Sequence, residues 1–273
     1  MITHISDLND ARLRPFQDLR TRNWTVGSGW FIAEGPLLVE RLLRSPYALH
    51  SVLVSDKYLS QWQDRLPAEA NVWVVAEDQI AAVLGFHFHR GILACGLRQR
   101  PSQLRTALPQ PLPADSTMVA LVGVQDPENM GGILRSCAAL GIEHILVGPG
   151  CADPLARRVL RVSMGTVLRL KLYPALDLLA DLAWLRQEHQ VESLATTLAS
   201  DSRALESATR HGPLVILMGN EAHGLPPAVQ AAADHRVRID MCLGTDSLNV
   251  SVAAGIVLHH FVRVATIKSD SSH

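Results

Sequence analysis

An α/β fold, with a mostly parallel sheet in the C-terminal half and a smaller α/β module before it, is what this sequence predicts. Three observations carry the prediction. Strand-like and helix-like segments alternate regularly after residue 117, and runs such as LVILMG (214–219) are apolar on both faces, as in a strand covered by helices on each side. The stretch 101–116, PSQLRTALPQPLPADS, holds four prolines and no sustained apolar period, which marks a boundary in extended conformation.

Upstream of that boundary, residues 31–35 (FIAEG) read as a short strand and a glycine turn, followed by an amphipathic helix opened by Pro36. Residues 51–56 and 71–77 read as strands, with a helix over 58–66 between them. Downstream, strands are expected at 118–124, 144–148, 167–173, 192–199, 213–219 and 236–241. Helices are expected at 131–140, stopped by Gly141, and at 154–162, 175–189, 226–234 and 247 to about 264. The resulting organisation is an N-terminal domain over 1–105, a linker over 106–116 and a C-terminal domain over 117–273.

The chain has 273 residues, 48% hydrophobic and 19% charged, enough for two cores. A formal net charge of -1 excludes global attraction to polyanions, so nucleic-acid contact has to come from local clusters. Cys95, Cys137, Cys151 and Cys242 are scattered without a CxxC pair, which fits buried thiols in a reducing compartment. No apolar run approaches the ~20 residues that span a bilayer, and the N-terminus lacks a basic start followed by an apolar core. A cytoplasmic protein without membrane contact is expected.

Three polar islands sit directly after strands, where open parallel sheets place their ligands. In the first, Asn129 is a candidate helix cap, Gly131 and Gly132 admit a close backbone or phosphate, and Arg135 lies off the apolar stripe of Ile133, Cys137 and Leu140. Arg135 is either a strand-end group or a solvated charge. In the second, Gly219, Asn220, Glu221 and Gly224 form a small-residue turn whose main chain can face a ligand, unless Glu221 merely caps the stretch 224–228. His223 reads as a turn residue. In the third, Ser247 is the expected N-cap of the final helix and Asn249 lies in its first turn.

The order and spacing of these islands resemble the SpoU (TrmH-like) branch of the SPOUT superfamily over about residues 117–265. Asn129, Gly131 and Arg135 match its first motif; Gly219, Glu221, Gly224 and Leu225 its second; Ile239, Met241, Gly244 and Ser247 through Ala253 its third. Asp240 stands where the family has proline, a change expected to alter only local stiffness. Ser163-Met164-Gly165 matches a further family segment. The segment from Phe31 to Leu43 is similar to an L30e-like RNA-binding domain.

The resemblance implies an S-adenosylmethionine (AdoMet)-dependent methyltransferase acting on a ribose 2′-hydroxyl of RNA, with ribosomal RNA favoured over tRNA. It also implies a deep trefoil knot and a homodimer joined near the final helix. It assigns Arg135, Asn129, Ser247, Asn249 and Glu221 to catalysis. The cofactor falls to Gly219, Asn220, Glu221, Gly224, Ile239, Met241, Gly244, Ser247 and Leu248. RNA contact is expected at Arg12, Arg14, Arg22, Arg157, Arg158 and Arg161, unless the N-terminal set pairs with Asp7, Asp10 and Asp18.

The alternative is an inactive RNA-binding protein with the same fold, against which the intact motif residues argue. Neither GxGxxG nor GxxxxGK[ST] follows a strand, so dinucleotide and P-loop readings lack their phosphate turns. His87 and His89, like His259 and His260, have no nearby third ligand, so no metal site is expected and packing is the better account of both pairs.

Overall fold

The computed structural model describes residues 1–20 and 27–264, which form two compact units. The first comprises Met1–Arg100 together with Asp153–Arg169, and the second Pro101–Ala152 together with the chain from Leu170 onward.

The first unit holds β1 (Ile2–His4), β2 (Trp30–Glu34), α1 (Pro36–Leu43), β3 (Leu49–Ser55), α2 (Asp56–Trp62), β4 (Val72–Val75), α3 (Ile80–Leu84) and β5 (Ile92–Leu97). Its sheet runs β1-β4-β3-β5-β2 and is mixed: β4 is parallel to β1 and β3, whereas β5 is antiparallel to β3 and β2. Pro36 at the first position of α1 removes an N–H that has no helical acceptor, and Leu38, Val39 and Leu42 form the buried stripe. Periodicity alone did not single out β1 and β5. The first has three residues, and the second is apolar throughout, so neither shows alternation.

The second unit contains α4 (Leu104–Ala107), β6 (Thr117–Leu121), α5 (Pro127–Leu140) and β7 (His144–Val147). The chain then leaves for the first unit through α6 (Arg157–Val162) and returns. There follow β8 (Lys171–Pro174), α7 (Leu178–His189), β9 (Glu192–Thr196), β10 (Arg203–Ala204), β11 (Leu214–Met218), α8 (Pro227–Ala232), β12 (His235–Arg238) and α9 (Val250–His259). The sheet order is β10-β12-β9-β11-β6-β7-β8 with every pairing parallel. All five residues of β11 are buried, the expected state of a strand covered on both faces.

Three sequence expectations change. The proline-rich stretch is not an extended tether, because Leu104 and Leu108 are buried in the core of the second unit around a helical turn. The strand expected over 167–173 starts only at Lys171: a turn with positive φ at Met164 and Gly165 leads into a 3-10 helix over Thr166–Arg169 that buries Val167 and Leu168. The segment Asp153–Arg169, placed by sequence in the C-terminal domain, groups with the first unit. There α6 packs on β2, Arg98 forms a two-bonded ion pair with Asp153, and Arg41 donates to the carbonyl of Met164.

Arg210 ties together parts of the second unit that are remote in sequence. Its side chain is 3% exposed, and it donates to Gly212 O, Thr117 Oγ1, Phe261 O, Ala114 O and Ser116 O at 2.8–3.3 Å. One planar fork thereby joins the entry to β6, the turn before β11 and the end of the last helix. Burial lowers its pKa, while Asp115 and Glu192 oppose that shift. Arg210→Leu strands several buried carbonyls and is expected to cost about 2–4 kcal/mol, lowering the melting temperature by roughly 5–15 °C. A thermal melt that matches the wild type would show these bonds to be dispensable.

Candidate active site at the strand ends of the parallel sheet

The turns after β6, β11 and β12 all emerge at the C-terminal edge of the second unit's sheet. They are bonded to one another through side chains. Glu221, in the turn after β11, accepts on Oε1 from the amide of Asp126 (3.1 Å) and from Asn129 Nδ2 (3.1 Å), and on Oε2 from the amide of Gln125 (3.3 Å). Asn129 Oδ1 in turn accepts from Asn249 Nδ2 at 2.8 Å. Asn249 Oδ1 accepts from the amides of Ser251 and Val252 and from Ser251 Oγ. The chain Glu221, Asn129, Asn249 thus links the three islands in a fixed sense of donors and acceptors.

Burial acts to raise the pKa of Glu221, but the donors on Asn129 and on the Glu221, Asp126 and Gln125 backbones outweigh it. The carboxyl is held below its ordinary value and stays ionised at neutral pH.

The caps differ from the sequence expectation. Asp126, not Asn129, caps α5 by accepting from the amides of Glu128 and Asn129, so the helix starts at Pro127 rather than at Gly131. Asn249, not Ser247, caps α9, which starts at Val250. A carboxylate or amide one turn earlier or later satisfies the same orphan N–H groups, and sequence pattern does not say which is used. Glu221 accordingly serves the first island rather than capping residues 224–228.

Two close approaches complete the frame. A Cβ on Gly132 would lie 2.9 Å from Ser251 Cβ, so this glycine admits α9 rather than a phosphate. A Cβ on Gly219 would lie 2.4 Å from the backbone of Gly224 and Leu225. There the turn folds back in a bridge between Asn220 and Gly224, and Asn220 Oδ1 holds the amides of Ala222 and His223. His223 is an exposed turn residue.

A cavity of about 660 Å³ opens against this frame. Of the sequence-predicted residues, Asn129, Gly219, Asn220, Glu221, Gly224, Ile239, Met241, Ser247, Leu248 and Asn249 line it. Gly244 and Arg135 lie outside the lining. Arg135 is exposed on α5 and makes no hydrogen bond or ion pair with another described residue.

The cavity floor is apolar, with Met218, Leu225 and Val257 each 1–2% exposed. Its far wall is Thr196 to Ala199 at the end of β9, closed by Gln230, which accepts from Thr197 Oγ1 and donates to Leu225 O. Sequence reading missed this wall, although β9 is a parallel strand and the strand-end rule applies to it as well. Asp240, itself outside the lining, pairs with the lining residue Arg238 at 2.7 Å.

Of the arginines expected at RNA, Arg12 forms an ion pair with Asp10, whose carboxyl it draws down to about 2, and lies over Trp73. Arg157 and Arg161 flank the buried carboxylate of Glu34 at 3.7 and 3.9 Å, and Arg157 also covers the ring of Phe86. Arg14 and Arg158 are exposed, and Arg22 lies outside the described residues. No cluster of three or more metal-ligating side chains occurs among the described residues.

Comparison with known proteins gives a consistent result. Residues 116–259 match the model of the SpoU rRNA Methylase family. An uncharacterised tRNA/rRNA methyltransferase of Mycobacterium bovis is 36% identical over 96% of this chain and 92% of its own length. A 23S rRNA (guanosine-2′-O-)-methyltransferase of Acinetobacter baylyi is 30% identical over 72% of this chain and 80% of its own. The structure of an AdoMet-bound rRNA methyltransferase from Sinorhizobium meliloti superposes with a TM-score of 0.82 at 26% identity, covering 95% of this chain and 97% of that one. With its three linked turns at the strand ends and a family match over more than half its length, the chain belongs to the SpoU rRNA methylase family.

Proposed function

We propose that this protein is an AdoMet-dependent RNA methyltransferase that methylates a ribose 2′-hydroxyl, with ribosomal RNA as substrate. The observation that carries the reading is the Glu221–Asn129–Asn249 chain at the rim of a cavity of about 660 Å³, a size that suits a cofactor. The chemistry of the lining fits AdoMet. Met218, Leu225 and Val257 offer an apolar floor, and the turns at Gly219–Gly224 and Ile239–Met241 offer main chain. The ionised Glu221 puts negative charge on the wall, which suits a cation. Relatives named as ribose 2′-O-methyltransferases and an AdoMet-bound neighbour support the same assignment.

Bound AdoMet supplies an electrophilic methyl group. The protein's own contribution is position, since well-oriented groups gain roughly 7–11 kcal/mol over free encounter. Asn129 and Asn249 hold the rim rigid, each amide fixed at both ends, with Ser247 exposed beside it. Arg135, cationic and without a partner among the described residues, is assigned to the RNA as organiser of the phosphate and the developing oxyanion. A guanidinium with a pKa above ~12 is a poor base.

The chain acts as a homodimer with α9 at the interface, where Val252 and Ile256 remain 51% and 40% exposed. The likeness to family structures supports the trefoil knot around the second and third islands. No helix among the described residues is long and apolar enough to cross a membrane, and the likeness to rRNA-modifying relatives supports a cytoplasmic site of action.

Incubation with methyl-labelled AdoMet and separated total RNA fractions, followed by mapping of the marks, should label ribosomal RNA at a ribose 2′-oxygen; label confined to tRNA, or absent, would overturn the substrate assignment. Arg135→Ala should abolish transfer while calorimetric AdoMet affinity stays within about twofold, since the residue lies outside the cavity lining; retained turnover removes it from the role. For Glu221 the folded pKa is depressed, so its contribution to stability is present above the ordinary carboxylate value and lost as pH falls through the folded one. Melts of Glu221→Gln should therefore fall below wild type at pH 7 and converge with it below about pH 4; parallel curves would contradict the linkage.

A further inference from the structure

The loop between α3 and β5 carries Phe86–Arg90, and burial alternates along it from Phe86 to His89. Phe88 is buried at 6% exposure in the core of the first unit, and Phe86 meets it edge-on beneath Arg157. His87 and His89 are thereby turned outward. Both are exposed, their rings are 8° from parallel with centroids 6.3 Å apart, and neither has a hydrogen-bond partner among the described residues.

Arg90 follows, also exposed and without an ion pair to another described residue. Its stem lies across Gly35, where a Cβ would come within 2.8 Å of Arg90 Cδ and where φ is +93°. Glycine at the start of α1 thus seats this arginine against the backbone.

We propose that His87 and His89 form a stacking slot for one unpaired nucleobase of the RNA, with Arg90 taking the phosphate beside it. This rests on the RNA methyltransferase reading and adds the site at which the first unit grips substrate. An inserted ring needs roughly 7 Å between its neighbours, so the slot has to widen by less than about 1 Å. Histidine faces and guanidinium groups are standard partners of splayed single-stranded bases and their phosphates. His87 and His89, expected from sequence to be packing residues, are therefore exposed. The arginines expected at RNA, Arg157 and Arg161, face Glu34 instead. A metal site is a poorer account, because no third ligand joins the pair among the described residues.

The test uses the full chain, a fluorescent hairpin RNA with an unpaired loop, and protein-free ribosomal RNA. The double variant H87A/H89A should weaken hairpin binding about five- to hundredfold. It should raise the KM for ribosomal RNA by a similar factor, leaving kcat at saturating RNA and calorimetric AdoMet affinity unchanged. H87F/H89F should restore most of the binding, because it keeps flat faces and removes ring nitrogens. Arg90→Gln should lower the slope of log affinity against log salt by about 0.7.

Wild-type binding by the alanine pair, or equal loss in the phenylalanine pair, would overturn the slot. If the wild-type protein binds AdoMet but neither binds nor methylates RNA, the substrate reading itself has failed, and the slot with it.

Discussion

The carboxylate of Glu221 is where the architecture of the second unit becomes chemistry. A parallel sheet delivers three turns to one edge, but turns are soft, and nothing in sheet geometry sets their mutual spacing to within an ångström. Glu221 does so by accepting from the turn after β6 and from Asn129, whose own amide is bound by the cap of α9. Because an ionised acceptor bonds more strongly than a neutral one, the three turns are held by charge-assisted bonds at the hub and by neutral amide bonds outside it. A substitution anywhere in this chain leaves a polar group without its partner, and the effect reaches all three turns.

The frame also explains why the cavity is mixed in character. Its floor is made of buried apolar side chains from β11 and α9, such as Met218 and Val257. Its rim is polar and already satisfied internally, so it can orient a charged ligand without large rearrangement. Arg135 stands apart from this economy of bonds: it is exposed and makes no hydrogen bond or ion pair with another described residue. Arg210 performs the opposite service at the other end of the strands, where its donors are spent on backbone carbonyls and the Thr117 hydroxyl.

In the first unit, charge is used for assembly before recognition. Glu34 is buried among apolar neighbours and draws Arg157 and Arg161 to itself, and Asp153 does the same for Arg98. These pairs hold the segment Asp153–Arg169, with α6, against β2. Arg90 and the two outward histidines, by contrast, are exposed on a loop and make no ion pair with another described residue.

Much of the protein is legible without coordinates. The all-apolar run of β11, the Pro36 start of α1, the Gly141 stop of α5 and the identity of the three polar islands follow from local rules, because periodicity and backbone preference act over a few residues. Tertiary structure decided which acceptor caps each helix, since Asp126 competes with Asn129 and Asn249 with Ser247 at nearly equal local cost. It also decided that the proline-rich stretch packs through Leu104 and Leu108, that residues 153–169 side with the first unit, and that β9 supplies a cavity wall. Each of these outcomes depends on partners dozens of residues away, and no pattern confined to one segment can contain that information.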